Sequence, residues 1–221
     1  IWLLALPQPP VAPIALLIFG TLALAVDTLS FRIPPADAHS MGGLVIVTAA
    51  LALGPIPGAL IGAVEGLISG FLLPFVYRRP LSLYLLVARP VLRGGTRAAG
   101  ILLGATLTAW ATGIPIADLH VAAPVALLAG IIVGSILTIQ LARVGREALQ
   151  GGRSGVITWW RSTWRLVLSV ELAPLPFALL GAAIYTQLGR GYFVLTGLAL
   201  IATAAAVRRA MLNLATQRRS V

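Results

Sequence analysis

The chain has 221 residues, of which 59% are apolar and only 10% are charged, and its mean hydropathy is +0.98. Soluble domains carry about 25% charged residues, so this composition predicts an integral membrane protein. The absence of cysteine excludes disulfides and thiolate chemistry, and the absence of lysine excludes a Schiff base. The net charge of +10 comes from arginines between apolar stretches, which is typical of positive-inside loops and not of nucleic-acid binding.

In chain order, seven apolar stretches are candidate spans, and together they predict an all-α, polytopic bundle of transmembrane helices. They cover residues 11–26, 41–53, 56–77, 98–112 (extended towards its N terminus), 121–142, 167–188 and 192–207. As a helix, the stretch 41–53 reaches only about 20 Å, whereas a bilayer core measures about 30 Å. It therefore either crosses the membrane or re-enters it as a half-helix, which leaves seven or six spans.

Two segments, 81–97 and 156–166, combine short apolar patches with arginines, and each is predicted to be an interfacial helix. Residues 27–40 are polar and contain Pro34 and Pro35, so they are predicted to form a loop.

The arginines predict the orientation of the chain. Fourteen of the sixteen lie in segments 78–97 and 143–165 and in the tail from Arg208, which alternation of the spans places on one side. The positive-inside rule makes that side the cytoplasm, so we expect a multi-pass protein of the inner (plasma) membrane with a cytoplasmic C terminus. We divide the chain into a transmembrane domain, 1–207, and a basic tail, 208–221, into which the last helix is expected to continue.

Glycines at a spacing of four are the sharpest sequence pattern, because such glycines let a second helix approach closely in lipid. The predicted helix-packing positions are Gly54, Gly58, Gly62, Gly66, Gly70, Gly100, Gly104, Gly130 and Gly134. They favour packing within this bundle, with a homodimer face or a movable helix contact as the functional alternative.

Glu65 lies in the middle of a candidate span, on the face that carries the glycines, and is therefore expected to face protein. An intramembrane carboxylate is costly unless it is paired, hydrated or protonated. Glu65 is the candidate ligand contact, proton site or switch, with a hydrogen-bonded packing role as the alternative. The acids Asp27, Asp37 and Asp118 are expected to be solvated loop ends.

A cluster of tryptophans and arginines is predicted to anchor the second interfacial helix at the headgroups. Its members are Trp159, Trp160, Arg161, Trp164 and Arg165. His39 and His120 lie at the entrances of spans, where a histidine is either structural or a ligand to a pigment or haem. The sequence shows no catalytic motif and no metal-ligand motif.

The run LGPIPGALIGAVEGLISG at 53–70, the Arg78-Arg79-Pro80 exit and LAPLPFALLGAAIYTQLG at 172–189 carry a resemblance. Their pattern and order resemble the membrane input domains of bacterial signalling proteins of the HD-GYP and GGDEF type. The same helix pair also resembles the substrate-binding component of energy-coupling-factor transporters, with the loop FRIPPADAHS in the place of a ligand-covering loop.

These observations predict a non-enzymatic membrane module, without cofactor, that acts as a sensory input or a membrane anchor for a signalling partner or output domain. The alternatives are a transporter component that binds a small molecule near Glu65, and an accessory subunit of a larger membrane complex. The expected partners are the lipid bilayer and either a second copy of the chain or other membrane subunits.

Overall fold

The computed structural model describes residues 11–29, 31–32, 38–39, 42–76, 84–142, 144–145 and 176–217. The helices are α1 (Pro13–Thr28), α2 (Gly42–Leu53), α3 (Pro55–Val76), α4 (Arg89–Thr112), α5 (Leu119–Ala122), α6 (Pro124–Ala142), α7 (Pro176–Ala183) and α8 (Arg190–Gln217). π-Helical turns Tyr84–Ala88 and Ile184–Leu188 precede α4 and follow α7. Strands β1 (Phe31–Arg32) and β2 (Ala38–His39) pair antiparallel, with Phe31 opposite His39. The predicted helical class is confirmed.

Helix α2 lies at the centre of the structure because its sequence is apolar on every side. Residues 45–51 are buried without interruption, and the helix contacts α1, α3 and α7. It connects to α3 through Gly54 alone, whose φ of 103° is in the left-handed region that favours glycine. At 12 residues, or about 18 Å, α2 is shorter than α1, α3 and α4, which pack around it or beside it.

Helices α3, α4 and α6 pack side by side in antiparallel directions. Along α3, Gly62 lies against Arg97, Gly66 against Gly94 and Gly70 against Pro90. These contacts fix an antiparallel register in which α3 and α4 approach each other through glycine backbones. Farther along α4, a second series of glycines contacts α6.

The bundle has two chemically different ends. In the described part of the chain, three turns with positive φ, at Gly54, Gly113 and Gly189, mark one end, here called the turn end. The opposite end, where α1 ends at Thr28 and α4 begins at Arg89, is called the arginine end. Helix α8 runs parallel to α1, since Phe193 lies against Phe19 and Gly197 against Leu22. It therefore starts at the turn end.

Two predictions about the polar segments need correction. The segment 81–97 is not a separate interfacial helix, because α4 is continuous from Arg89 to Thr112 and joins this segment to the following span. The predicted loop 27–40 begins later than expected, because Asp27 and Thr28 belong to α1. The second interfacial helix, 156–166, lies outside the described residues.

Among the residues that the structure describes, two helices are long and apolar enough to cross a membrane by length and composition, at Pro55–Leu72 and Pro124–Ala142. Four others are apolar but shorter: Pro13–Thr28, Gly42–Leu53, Pro176–Leu188 and Arg190–Thr203. The count of six or seven spans therefore stays a prediction. Helix α8 continues without a break through position 207 to Gln217, so the last helix extends into the basic tail as expected.

Candidate functional site: a buried ion network

Four charged side chains from three helices meet inside the bundle, towards the arginine end. Asp27 comes from the last turn of α1, Glu65 from the middle of α3, and Arg93 and Arg97 from the first half of α4. Both carboxylates are 1% exposed, and the arginine side chains are about one-fifth exposed. We refer to these four residues as the ion network.

Arg97 is the centre of the ion network because it contacts both carboxylates. Arg93 Nη2 donates hydrogen bonds to Asp27 Oδ1 and Oδ2, each at 2.8 Å. Arg97 Nη2 donates to Asp27 Oδ1 at 3.3 Å, while its Nη1 forms an ion pair with Glu65 Oε2. The charges thus alternate in the order Arg93, Asp27, Arg97, Glu65, and helix α1 is linked to α3 through α4.

The glycine contacts place these side chains at ion-pair distance. A Cβ atom at Gly66 would lie 2.6 Å from Gly94 Cα, closer than side chains tolerate, so only glycine permits this approach of α3 and α4. Arg93 and Arg97 are four residues apart on α4 and therefore lie on one helix face. That face points towards Asp27 and Glu65.

The carboxylate of Asp27 also lies at the N terminus of α2. A Cβ atom at Gly42, the first residue of α2, would be 3.2 Å from Asp27 Oδ1. The first N–H groups of a helix have no partner within the helix, and the helix dipole favours a negative charge there. Asp27 is thus stabilised by two arginines and by its position at the start of the central helix.

The four charges sum to zero, which is the condition under which a buried cluster is tolerable. Each isolated charge would cost several kcal/mol to bury, and the loss of one partner leaves that cost uncompensated. Removal of a single member is therefore more disruptive than removal of a matched pair. The arrangement holds three helices in one relative position.

The structure places Glu65 and the predicted packing glycines as follows. Glu65 is buried against protein in the ion network. Gly58 lies against Ala50 of α2, and Gly62 lies between Ile46 and Arg97. Gly66 and Gly70 contact α4, whereas Gly54 is the turn between α2 and α3 and not a helical packing position.

The second glycine series joins α4 to α6. Gly104 packs against Gly130 and Gly134, and Gly100 packs against Gly134 and Ser135. These contacts are mainly between backbone atoms. Thr108 reinforces this contact, because its hydroxyl donates to the carbonyl oxygens of Gly104 and Ala126.

The remaining predicted residues do not join the ion network. His120 packs against Gly54 at the turn end, and His39 lies in β2. The anchor cluster, Trp159, Trp160, Arg161, Trp164 and Arg165, lies outside the described residues. Within the described part of the chain, no group of three or more His, Cys, Asp or Glu side chains could hold a metal ion.

Three members of the ion network are absent from the sequence-based site. Asp27 was expected to be a solvated loop end, which is wrong because it is buried. The prediction of an interfacial segment for Arg93 and Arg97 is wrong, because both side chains turn inward from α4 to the buried carboxylates. The signal that could have identified them is their spacing of four residues beside Gly94, combined with two acids in otherwise apolar stretches.

Comparisons of the chain with protein-family models, with curated proteins and with solved structures find no match.

Proposed function

We propose that the chain is a multi-pass protein of the inner membrane, folded as a bundle of six or seven spans. Support comes from the distribution of side chains among the described residues, which combines buried carboxylates with large apolar side chains on the outer surface. Asp27 and Glu65 are each 1% exposed, whereas Leu17, Leu60, Val125 and Leu195 are each more than half exposed. Removing such a side chain from water stabilises a protein by about 1.5–3 kcal/mol. In water the protein would lose this stabilisation at each exposed position, whereas contact with lipid retains it.

The positions of aromatic and arginine side chains support a definite depth in the bilayer. Trp110 is 86% exposed and Tyr192 is 62% exposed, and both lie at the turn end, where a headgroup belt of aromatics is expected. Along α4, Arg89 is about 32 Å from Trp110, and along α8, Arg209 is about 26 Å from Tyr192, at 1.5 Å per residue. Both separations are close to the about 30 Å of the hydrocarbon core.

The arginines also favour an orientation in which the arginine end lies in the cytoplasm. Arg190 is the one arginine that the described residues place at the turn end, whereas Arg89 and Arg209 lie towards the opposite end. With the arginine end in the cytoplasm, the C terminus is cytoplasmic as well. Arg97 is then about 12 Å deeper than Arg89, which puts its pair with Glu65 near the bilayer centre.

We infer that this bundle is a sensory input module, or a membrane anchor, for a signalling partner or output domain. The observation that carries this proposal is the length and direction of α8. Its 28 residues measure about 42 Å, so it exceeds a bilayer core by about 12 Å and emerges at the arginine end as a continuous helix. Such a helix can transmit a displacement to whatever follows or binds it.

A contact path connects the ion network to α8. Asp27 holds the end of α1, and α1 contacts α8 through Phe19 and Phe193, whose ring centroids are 4.5 Å apart. Leu22 of α1 also fills the space beside Gly197 of α8. A change in the pairing of Asp27 would shift α1 and, through these contacts, the helix that leaves the membrane.

The transporter alternative would need a ligand to reach Glu65. In the described part of the chain Glu65 is 1% exposed and paired with Arg97, so a ligand that binds its carboxylate would have to displace Arg97. The expected partner of an input module is a second copy of the chain, because signalling modules of this kind act through relative movement of emerging helices.

A fusion reporter tests the proposed function. The full chain is joined after Val221 to an output domain whose activity depends on how its two copies are held together, and activity per membrane-inserted protein is measured. Arg97→Gln should change this activity several-fold, because it removes the side chain that pairs with both Asp27 of α1 and Glu65 of α3. The matched control, Arg190→Gln at the turn end, should leave it unchanged. Equal activity for wild type and Arg97→Gln would refute the input-module proposal.

A further inference from the structure

The antiparallel register of α3 and α4 creates two successive levels between these helices. At the first level, Glu65 of α3 pairs with Arg97 of α4. One turn nearer the arginine end, Ser69 follows Glu65 by four residues and Arg93 precedes Arg97 by four. Because Gly66 lies against Gly94 and Gly70 against Pro90, Ser69 and Arg93 occupy this second level together.

Buried polar atoms near the second level form no hydrogen bonds with one another. Ser69 is only 4% exposed. Among the residues that the structure describes, no protein atom forms a hydrogen bond with Ser69 Oγ, with Glu65 Oε1 or with Arg93 Nε. Buried polar groups in native proteins are almost always satisfied by protein or by ordered water. The contacts of Gly66 with Gly94 and of Gly70 with Pro90 put these three residues on adjacent turns of α3 and α4, so one small ligand between the helices could serve all three atoms.

We propose that a water molecule is bound between α3 and α4 at this level. It accepts a hydrogen bond from Arg93 Nε–H and donates to Glu65 Oε1 and Ser69 Oγ. This arrangement uses three of the four hydrogen bonds available to water, which is the usual number for a buried water. The Cβ atoms of residues four apart on a helix are about 5–6 Å apart, a separation that one water molecule can bridge.

Water fits the site better than an ion does. The ion network contains two carboxylates and two guanidinium groups, so its net charge is zero. A cation would lie beside Arg93 and an anion beside Glu65, and either would add an uncompensated charge to a buried site. A neutral ligand with both donors and acceptors satisfies all three atoms without changing the charge.

The bound water closes the ion network into a ring that runs from Asp27 through Arg93, water, Glu65 and Arg97 back to Asp27. Glu65 is then connected to Asp27 by two routes, one direct through Arg97 and one through the water. Ser69 is a positioning residue in this ring. The water site deepens the ion network used by the proposed function, but it requires only the fold and not a signalling role.

The test is a high-resolution structure of the full chain in lipid nanodiscs, together with infrared spectra recorded in H₂¹⁶O and H₂¹⁸O. We expect solvent density within about 2.5–3.2 Å of the three atoms, and an O–H band that shifts to lower frequency in H₂¹⁸O. Ser69→Val should remove that band. The matched control, Thr106→Val on the exposed face of α4, should retain it.

Direct bonding of Ser69 Oγ to Glu65 or Arg93, with no density between them, would overturn the proposal. An isotope-sensitive band that is unchanged in Ser69→Val would do the same. If this variant fails to fold, the density in the wild-type chain decides alone. Failure of the input-module proposal is recognised separately, because the fusion reporter measures output and not the presence of water.

Discussion

Two adjacent glycines of α4, Gly94 and Gly95, provide a matched test of the contact on which the ion network depends. A Cβ atom at Gly94 would lie 2.6 Å from the carbonyl oxygen of Ala63 and 3.1 Å from Leu67 Cγ. A Cβ atom at Gly95 would meet nothing within 4 Å. The substitutions Gly94→Ala and Gly95→Ala thus make the same chemical change in the same helix, one against α3 and one away from it.

The expected difference in unfolding free energy follows from these distances. Restoring an ordinary contact of 3.4 Å at Gly94 requires α3 and α4 to separate by about 0.8 Å, and overpacking of this kind typically costs about 1–3 kcal/mol. Alanine in place of Gly95 should raise the free energy of unfolding by about 0.5–1 kcal/mol, since glycine is destabilising in a helix interior. Both alanines share this gain, so Gly94→Ala should be less stable than Gly95→Ala by the overpacking cost of about 1–3 kcal/mol.

The measurement is reversible unfolding of the purified chain in mixed micelles, with increasing SDS and helical circular dichroism as the signal. The wild-type chain should fall between the two variants. If Gly94→Ala were as stable as Gly95→Ala, the α3–α4 contact would be looser than described, and the explanation of how Arg97 reaches Glu65 would be wrong.

Three further predictions concern other parts of the chain. A reporter enzyme fused after Val221 should be active only in the cytoplasm, and activity on the outer face would reverse the topology. Cysteines introduced at Met211 and Leu214 should crosslink two copies efficiently in membranes, whereas reaction with lipid-soluble probes alone would contradict a helical connector between copies. Gly54→Ala should destabilise the fold by about 1–2 kcal/mol, because its φ of 103° is left-handed, while Gly20→Ala, which meets nothing within 4 Å, should not.

The positions of the helices could be predicted from the sequence because their limits are local. Apolar runs end at Pro, Gly or charged residues, and these residues also end the helices at Gly54 and Gly113. The segment 81–97 was harder to interpret because its arginines interrupt the apolar pattern. Arg93 and Arg97 do interrupt the apolar pattern of the sequence. The helix nevertheless continues through them, because carboxylates from other helices neutralise both charges.

The candidate site could be predicted only in part. The acidic position of Glu65 in an apolar run is a local signal, and it identified one member of the ion network. Its partners are distant in sequence, since Asp27 and Arg93 are 66 residues apart. Composition and spacing cannot reveal such a pairing, because it depends on which helices pack together and on the register that Gly66 and Gly94 impose.

The position of Arg97 between two carboxylates predicts an unequal response to neutralising substitutions. Arg97→Gln leaves Glu65 without a counter-charge, and removal of one partner of a buried pair costs about 3–5 kcal/mol. Glu65→Gln should cost less, because Arg97 keeps its hydrogen bond to Asp27. The double variant restores a neutral network of Asp27 and Arg93. It should therefore be more stable than Arg97→Gln alone by at least about 1 kcal/mol in the SDS titration, although it carries one substitution more. Strictly additive losses would show that Glu65 and Arg97 do not interact, because independent sites add and coupled sites do not.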